Sequence, residues 1–423
     1  MNKVVFFALF LIGFHSYSFA QTVKIHPDTL RLTIADAENR FIKENLTLLA
    51  DRYDIDIAKS KVLDARLWNN PNFNYAQGLY DPHTKNFFDY SSTGTSSIQL
   101  QELFSIAGKH TNTVKLARIS EKLTELQFQD ITRSLKYELY TDFNTLLSDQ
   151  QQAVLYNYEI EKLSLLLSSM NQEKQLGVLA GNDIIRLKAE IENLKNASVQ
   201  NYNDLMATEK DLKVLLNASY LTYIMVEDAS NPSKSVLPAL PDLINTAEAN
   251  RPDLQVSKAT VEYQMQNLKL QRSLSVPDFT MAVWHDASGS YATNIDEISL
   301  GFDIPIFNRN QHQVKIAKYQ IEQQKLKDSL QQNTLQNEVA QAFAIFQNVN
   351  SQYGSLDIDY NRQLDELNTG AINNYSKRLI NLVDFLDQIR TFTSSRLSFI
   401  QLKKQYFDSV NYLNFVVGTP VIK

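Results

Sequence analysis

The chain has 423 residues, 41 basic against 47 acidic side chains, a formal net charge of −6 and no cysteine. Mild acidity argues against nucleic acid or anionic lipid headgroups as partners. The missing cysteine excludes a disulfide framework, a lipidated N-terminal cysteine and thiol chemistry.

Residues 1–20, MNKVVFFALFLIGFHSYSFA, open with Lys3, continue through an apolar run to Phe14, and close on Ser18-Phe19-Ala20. That order predicts a secretory signal peptide cut before Gln21, and the run is too short for a membrane anchor. Next come two segments of period two. Phe73, Tyr75 and Leu79 alternate with Asn74, Ala76 and Gly78, and Ile98 and Leu100 alternate with Gln99 and Gln101. Each predicts a half-buried strand of eight or nine residues, and the loop 81–95 between them is polar and aromatic. No proline occurs between Pro82 and Pro232, and no glycine from Lys109 to Leu176. A continuous helix there would run roughly 100 Å. Its seam is Phe128, Ile131, Leu135, Leu139, Phe143 and Leu146, the narrow kind that needs a neighbouring helix. A turn at LGVLAGNDI (176–184) leads to a second seam of Ile184, Leu187, Ile191 and Leu194.

The second half runs through the same plan. After residues 218–250 comes a helix, then strands at Phe279–Val283 and Ile298–Ile304 around the loop 286–296. No proline then occurs between Pro305 and Pro420. NPNF (70–73) parallels VPDF (276–279), and LKVLLN (212–217) parallels LNFVVG (413–418). The last register sets Asp183 opposite Asp384, Ile184 opposite Phe385, and Arg186 opposite Asp387. It predicts a first repeat over 21–217, a linker over 218–250, a second repeat over 251–418 and a tail over 419–423.

Four strands of this length can cross a bilayer when tilted. They cannot close a barrel, and an open sheet edge cannot face lipid. The expected solution is a ring of protomers sharing a strand barrel and a helical tube. Tyr80, Phe87, Phe88, Tyr90, Trp284 and Tyr291 flank the strands as candidate interfacial aromatics. No enzyme chemistry is visible. The six histidines form no ligand-spaced cluster, no glycine-rich phosphate loop follows a strand, and no cofactor or metal site is expected.

Five motifs in combination resemble the TolC-type outer membrane factor family: ANRPDL (249–254), VPDF (276–279), LFSIAGK (103–109), LGVLAGNDI (176–184) and VDFLD (383–387). The resemblance implies an α+β membrane protein: a homotrimer whose four strands per chain make a twelve-stranded barrel, continued by a periplasmic α-helical barrel. It implies an outer-membrane efflux duct of a Gram-negative bacterium, docked on a periplasmic adaptor and an inner-membrane pump. Arg251, Pro252, Asp253 and Leu254 are the family signature. Asp384 and Asp387 match the aspartate rings of the periplasmic gate. Gly177, Val178, Leu179 and Asp183 at one tip, with Gly370 and Ala371 at the other, are the expected turn and adaptor contacts. Lys377 and Arg378 are latch candidates, although the second turn, counted from Gly370, is longer than the first. Asp384 also reads as a helix-start residue, because its counterpart Asp183 recurs in the repeat. The alternatives are a type I protein secretion duct and, in another class, a periplasmic coiled-coil scaffold or adaptor. The cargo is not legible.

Overall fold

The computed structural model describes residues 28–82, 84–90, 94–175, 181–227, 237–287, 294–355 and 359–422. The expected signal peptide and Tyr291 lie outside them. In chain order come β1 (Thr29–Leu32), α1 (Ile34–Glu44), α2 (Leu46–Ala65), β2 (Asn72–Gln77), β3 (Tyr80–Asp81), β4 (Asn86–Phe87), β5 (Ser96–Phe104), α3 (Lys109–Gln175) and α4 (Gly181–Leu215). After β6 (Tyr223–Val226) follow α5 (Leu240–Asn250), α6 (Pro252–Ser273), β7 (Phe279–Asp286), β8 (Ile295–Phe302), α7 (Gln311–Gly354), α8 (Tyr360–Ser376) and α9 (Leu382–Val417). The 67 residues of α3 make a rod of about 100 Å. Among the described residues no helix is long and apolar enough to cross a membrane.

The four expected strands form one antiparallel sheet in the order β2-β5-β7-β8. Register fixes which residues share a face. Phe73, Leu100, Val283 and Ile298 lie in one row, and Phe104, Phe279 and Phe302 in another. Alternation puts Tyr75, Ile98, Met281 and Leu300 on that same face. The face is not half-buried as expected. Phe73, Leu100, Ile298, Leu300 and Phe302 are each more than half exposed, because nothing among the described residues covers them. The other face carries Asn74, Gln99, Gln101, Glu297 and Ser299. Trp284 pairs between Gln99 and Glu297 on this polar face and is not part of an outer aromatic girdle. Ile304 lies beyond the end of β8.

The sheet is pinned to the helices by Asp278. Its Oδ1 accepts the Ile106 N–H at 3.1 Å and pairs with the buried Lys109 ammonium at 2.8 Å. Thus LFSIAGK and VPDF, far apart in sequence, meet where β5 becomes α3.

There is no single core. One cluster joins α1 to α3, α4 and β6 through Phe41, Leu139, Leu146, Leu212 and Ile224. A second joins α5 and α6 to α7 and α9 through Leu243, Leu254, Val339, Phe346 and Leu413. A third lies near the far helix ends, around Leu163, Leu187, Phe385 and Ile389. The seams fall as expected except at Ile131, which is 38% exposed and turned out of the cluster. The first long helix expected in the second half is broken. α7 stops at Gly354, where the Ser355 hydroxyl donates back to the Gln352 carbonyl. Glycine and serine there weaken the helix where no proline does.

The bends between paired short helices are built alike. Asn45 caps α2 by accepting from the Leu48 N–H, and its Nδ2 donates to the Leu215 carbonyl at 2.8 Å. Arg251 stands between α5 and α6, with Pro252 at the first helical position. Its Nη1 reaches the Val416 carbonyl. Arg251 is only 3% exposed, and its charge is met by Asp253 (3.0 and 2.5 Å) and Glu338 (2.6 Å). Burial alone would raise the Asp253 pKa. The hydrogen bonds and charge of Arg251, with help from Arg133, outweigh it and hold the carboxyl below its usual range. The signature thus locks α6 to α7 and to the end of α9.

Both long-helix ends use a left-handed residue, Asn217 (φ 48°) and Gly418 (φ 78°). At Gly418 a Cβ would also sit 3.2 to 3.3 Å from Arg251 atoms. Gly418→Ala is therefore expected to cost about 1–3 kcal/mol, whereas Asn217→Gly should be neutral or slightly stabilising. Denaturant midpoints of the two variants check this.

Candidate functional site

At the far end of the helical rod, the hairpin α3/α4 meets the hairpin α8/α9. Gln175 ends α3 and Ser376 ends α8, and Asp183 and Asp384 each lie eight residues further on. The segments joining the helices of the two hairpins therefore match in number of residues. The longer second turn counted from Gly370 is not found: α8 continues past Gly370 and Ala371, and Ala371 is buried in the tip cluster. A glycine inside a well-packed helix costs only about 1 kcal/mol, too little to end it. Gly370 and Ala371 are thus helix residues, and the reversal occupies 377–381. Gly177, Val178 and Leu179 lie outside the described residues.

The second turn is closed by backbone geometry. The Arg378 N–H donates to the Tyr375 carbonyl at 2.9 Å and the Leu379 N–H to the Asn374 carbonyl at 2.8 Å. This is a Schellman-type ending with Arg378 in the left-handed position (φ 61°) that usually takes glycine. The Arg378 guanidinium reaches Glu173 of α3 at 3.3 Å, while Lys377 is exposed. Asn381 then starts α9. Its Oδ1 accepts the Asp384 N–H at 3.0 Å, and its Nδ2 donates to Asp384 Oδ2 at 2.8 Å.

The two aspartates of VDFLD differ in consequence. Both are exposed, while Leu382, Phe385, Leu386 and Ile389 fill the buried face of α9. Asp384 shares in the cap of its own helix, as its helix-start reading requires. Asp387 takes no part in that cap, and its charge acts on Arg390 one turn on. Asp183 is half-buried, and its charge reaches Tyr375.

Several joints across the two hairpins were not read from the sequence. Tyr375 stacks on Phe385 with centroids 4.8 Å apart, and its hydroxyl points at Met170 Sδ. Burial raises the Tyr375 pKa, and the charges of Asp183 and Glu173 add to the rise. Arg390 donates twice to Glu190 Oε2, at 2.8 and 2.5 Å. Glu190 is nearly buried on α4 whereas Arg390 is mostly exposed. The Glu190 hydrogen bond is the main cause raising the Arg390 pKa. Asn368 of α8 bonds the fully buried Glu159 of α3 at 2.8 Å. Asn381 was readable as a cap three residues before an acid. Glu159 and Glu190 were visible only as acids falling on apolar seams.

Comparison with known proteins bears on the fold. Residues 243–419 match the model of the outer membrane efflux protein family. The cobalt-zinc-cadmium resistance protein CzcC of Cupriavidus metallidurans is 19% identical over 92% of this chain and 90% of its own. The outer membrane channel CmeC of Campylobacter jejuni has the same fold, with a TM-score of 0.76 at 14% identity over 91% of this chain and 85% of its own. The MtrE outer membrane channel of Neisseria gonorrhoeae, in its open state, gives 0.72 at 14% identity over 92% and 89%. The resemblance carried by the five motifs is borne out.

Breaking the Glu190 pair from its two sides should have unequal effects. Arg390→Ala leaves a buried carboxylate unpaired and is expected to cost about 1–3 kcal/mol. Glu190→Gln, which removes the charge needing a partner, should cost clearly less, and the double variant should recover part of the loss. Thermal melts of the four proteins check the order.

Proposed function

We propose that this chain, with its outer membrane efflux protein domain at 243–419, is the outer-membrane exit duct of a tripartite efflux system. It works as a homotrimer and passes substrate passively from a periplasmic adaptor and an inner-membrane pump. One observation carries the reading: an open four-stranded sheet, apolar on one face and bare there, continues into long helices, one of them about 100 Å in length. Such a sheet can stay in lipid only if its two edges are paired, and a neighbouring copy offers the complementary edges. The TolC-type resemblance sets the copy number at three, giving twelve strands and a shared helical tube below them. The row Phe104, Phe279 and Phe302 would then ring the helix-side boundary of the apolar band, at the level where aromatic girdles sit.

The chain is read as two structural repeats, 21–217 and 251–418, joined by 218–250. Support comes from the like bends at Asn45 and Arg251, whose partners Leu215 and Val416 occupy matching positions. The left-handed Asn217 and Gly418 match as well.

At the tip, Asp384 and Asp387 in three copies would put six carboxylates around the periplasmic entrance. Crowded like charges favour cations, repel anions and weaken the shut state. Asp387 is the stronger gate residue, because Asp384 is engaged in its own helix cap. Arg378 on Glu173 is a latch within one chain, and the turn at 377–381, together with Gly177, Val178 and Leu179, meets the adaptor. The relative named for cobalt, zinc and cadmium resistance makes divalent cations the cargo to test first; a type I protein secretion duct is the alternative.

Planar-bilayer recordings test the gate. Asp387→Ala should weaken block by divalent cations about tenfold, corresponding to ~1.4 kcal/mol of removed electrostatics. Asp384→Ala should have the smaller effect, and the pair together should reduce cation preference most. Unchanged conductance and block in the double variant would remove the gate assignment.

A further inference from the structure

On the seam of α3 an acid stands where the pattern calls for an apolar residue. Glu159 is fully buried, one turn after Leu155 and one before Leu163. On one side of it, Leu155 packs with Leu364 and Phe392. On the other, Leu163 packs with Ala371, Phe385 and Ile389. Across the seam α8 presents Asn368, itself 3% exposed, one turn after Leu364. The pair is thus a polar layer between two apolar ones, at the contact between the first hairpin and α8.

Its hydrogen bonding is half complete. Asn368 Nδ2 donates to Glu159 Oε1 at 2.8 Å. The remaining oxygen of each partner, Glu159 Oε2 and Asn368 Oδ1, is buried with no partner among the described residues. Two orphan acceptors on the two members of one hydrogen bond have a common remedy. A carboxylate cannot supply a donor to either. A single proton on Oε2 makes the group an acid that donates to Oδ1, so that acid and amide join through two hydrogen bonds. Without it, a buried negative charge and an unpaired amide oxygen remain, each costly in an apolar layer.

We propose that Glu159 is a proton-binding site, closed by Asn368, and that loss of its proton frees α8 from α3 just short of the tip. The consequence for opening rests on the reading of that tip as a gate; the proton site itself does not.

The surroundings agree. Burial pushes the Glu159 carboxyl up to about 7, against the opposing effects of the Asn368 hydrogen bond and the Lys162 charge on its own helix. A cavity of about 260 Å³ beside it is lined from α8 by Ile372, Tyr375 and Ser376, and from α9 by Phe385 and Ile389. Asp365 and Glu366 of α8 are exposed, and Arg390 of α9 is engaged with Glu190. The folded-state value lies above the unfolded one. The stabilisation is therefore complete below the unfolded carboxyl range and is lost as pH rises toward 7.

The test uses the full-length protein in detergent or membranes. Difference infrared spectra of wild type against Glu159→Gln should show a protonated-carboxyl band at pH 5 that disappears with a midpoint near 7. Glutamine keeps the shape and forms an amide pair, so this variant should fold. Hydrogen exchange in 360–376, corrected for intrinsic rates, should speed up by roughly tenfold or more between pH 5 and 8 in wild type. Glu159→Gln should abolish that change. Absence of the band at pH 5, or equal pH dependence of α8 exchange in both proteins, would overturn the proposal. Neither readout depends on the chain being a channel. A confirmed proton site with no channel activity would refute only the duct reading.

Discussion

The backbone hydrogen bonds of two strand edges govern the rest of the molecule. β2 and β8 bound the sheet, and each offers a row of N–H and C=O groups with no strand partner among the described residues. In water such an edge can be hydrated. In hydrocarbon it costs several kcal/mol per group. The apolar face formed by Phe73, Leu100, Val283 and Ile298 means this sheet is not built for water. The proposed closure by other copies would reconcile the two facts. It would also give the narrow seams of the helices below their neighbours.

The helices meet a different constraint. A rod of about 100 Å cannot be held by one core. Apolar clusters are therefore distributed along it, and polar anchors fix the register between them. Asp278 with Lys109 ties sheet to helix, Arg251 with Asp253 and Glu338 ties the α5–α6 bend to the long helices, and Glu190 with Arg390 ties the tip. Buried polar groups are poor stabilisers but effective at choosing one alignment over another. Helices that must pack side by side over many turns need that choice.

Much of this was legible because the signals were negative or periodic. The long proline-free stretches and period-two segments located the main helices and the four-stranded sheet, and most of the α3 seam lies where its spacing put it. What was missed involved long-range pairing or competing local effects. Gly370 looked like a breaker, but helix packing around Ala371 outweighs its weak propensity, and the turn forms where Arg378 and Asn381 supply the end geometry. The real break at Gly354 carried no proline to mark it. Trp284 looked interfacial by type, and only register showed its polar side. At the tip, Asp384 and Asp387 were singled out by motif. Glu159 with Asn368 and Glu190 with Arg390 pair residues some two hundred positions apart, beyond what spacing can show.

The most direct measurement takes advantage of the cysteine-free chain. Cysteine pairs, one on β2 and one on β8 of the same chain, as in Asn74→Cys with Ser299→Cys, would be oxidised in membranes and resolved on denaturing gels. Edge-to-edge closure by three copies predicts a covalent ladder that stops at trimer, with adducts alternating along each strand. Chains that stay monomeric at every pair, or a ladder ending at another number, would contradict it.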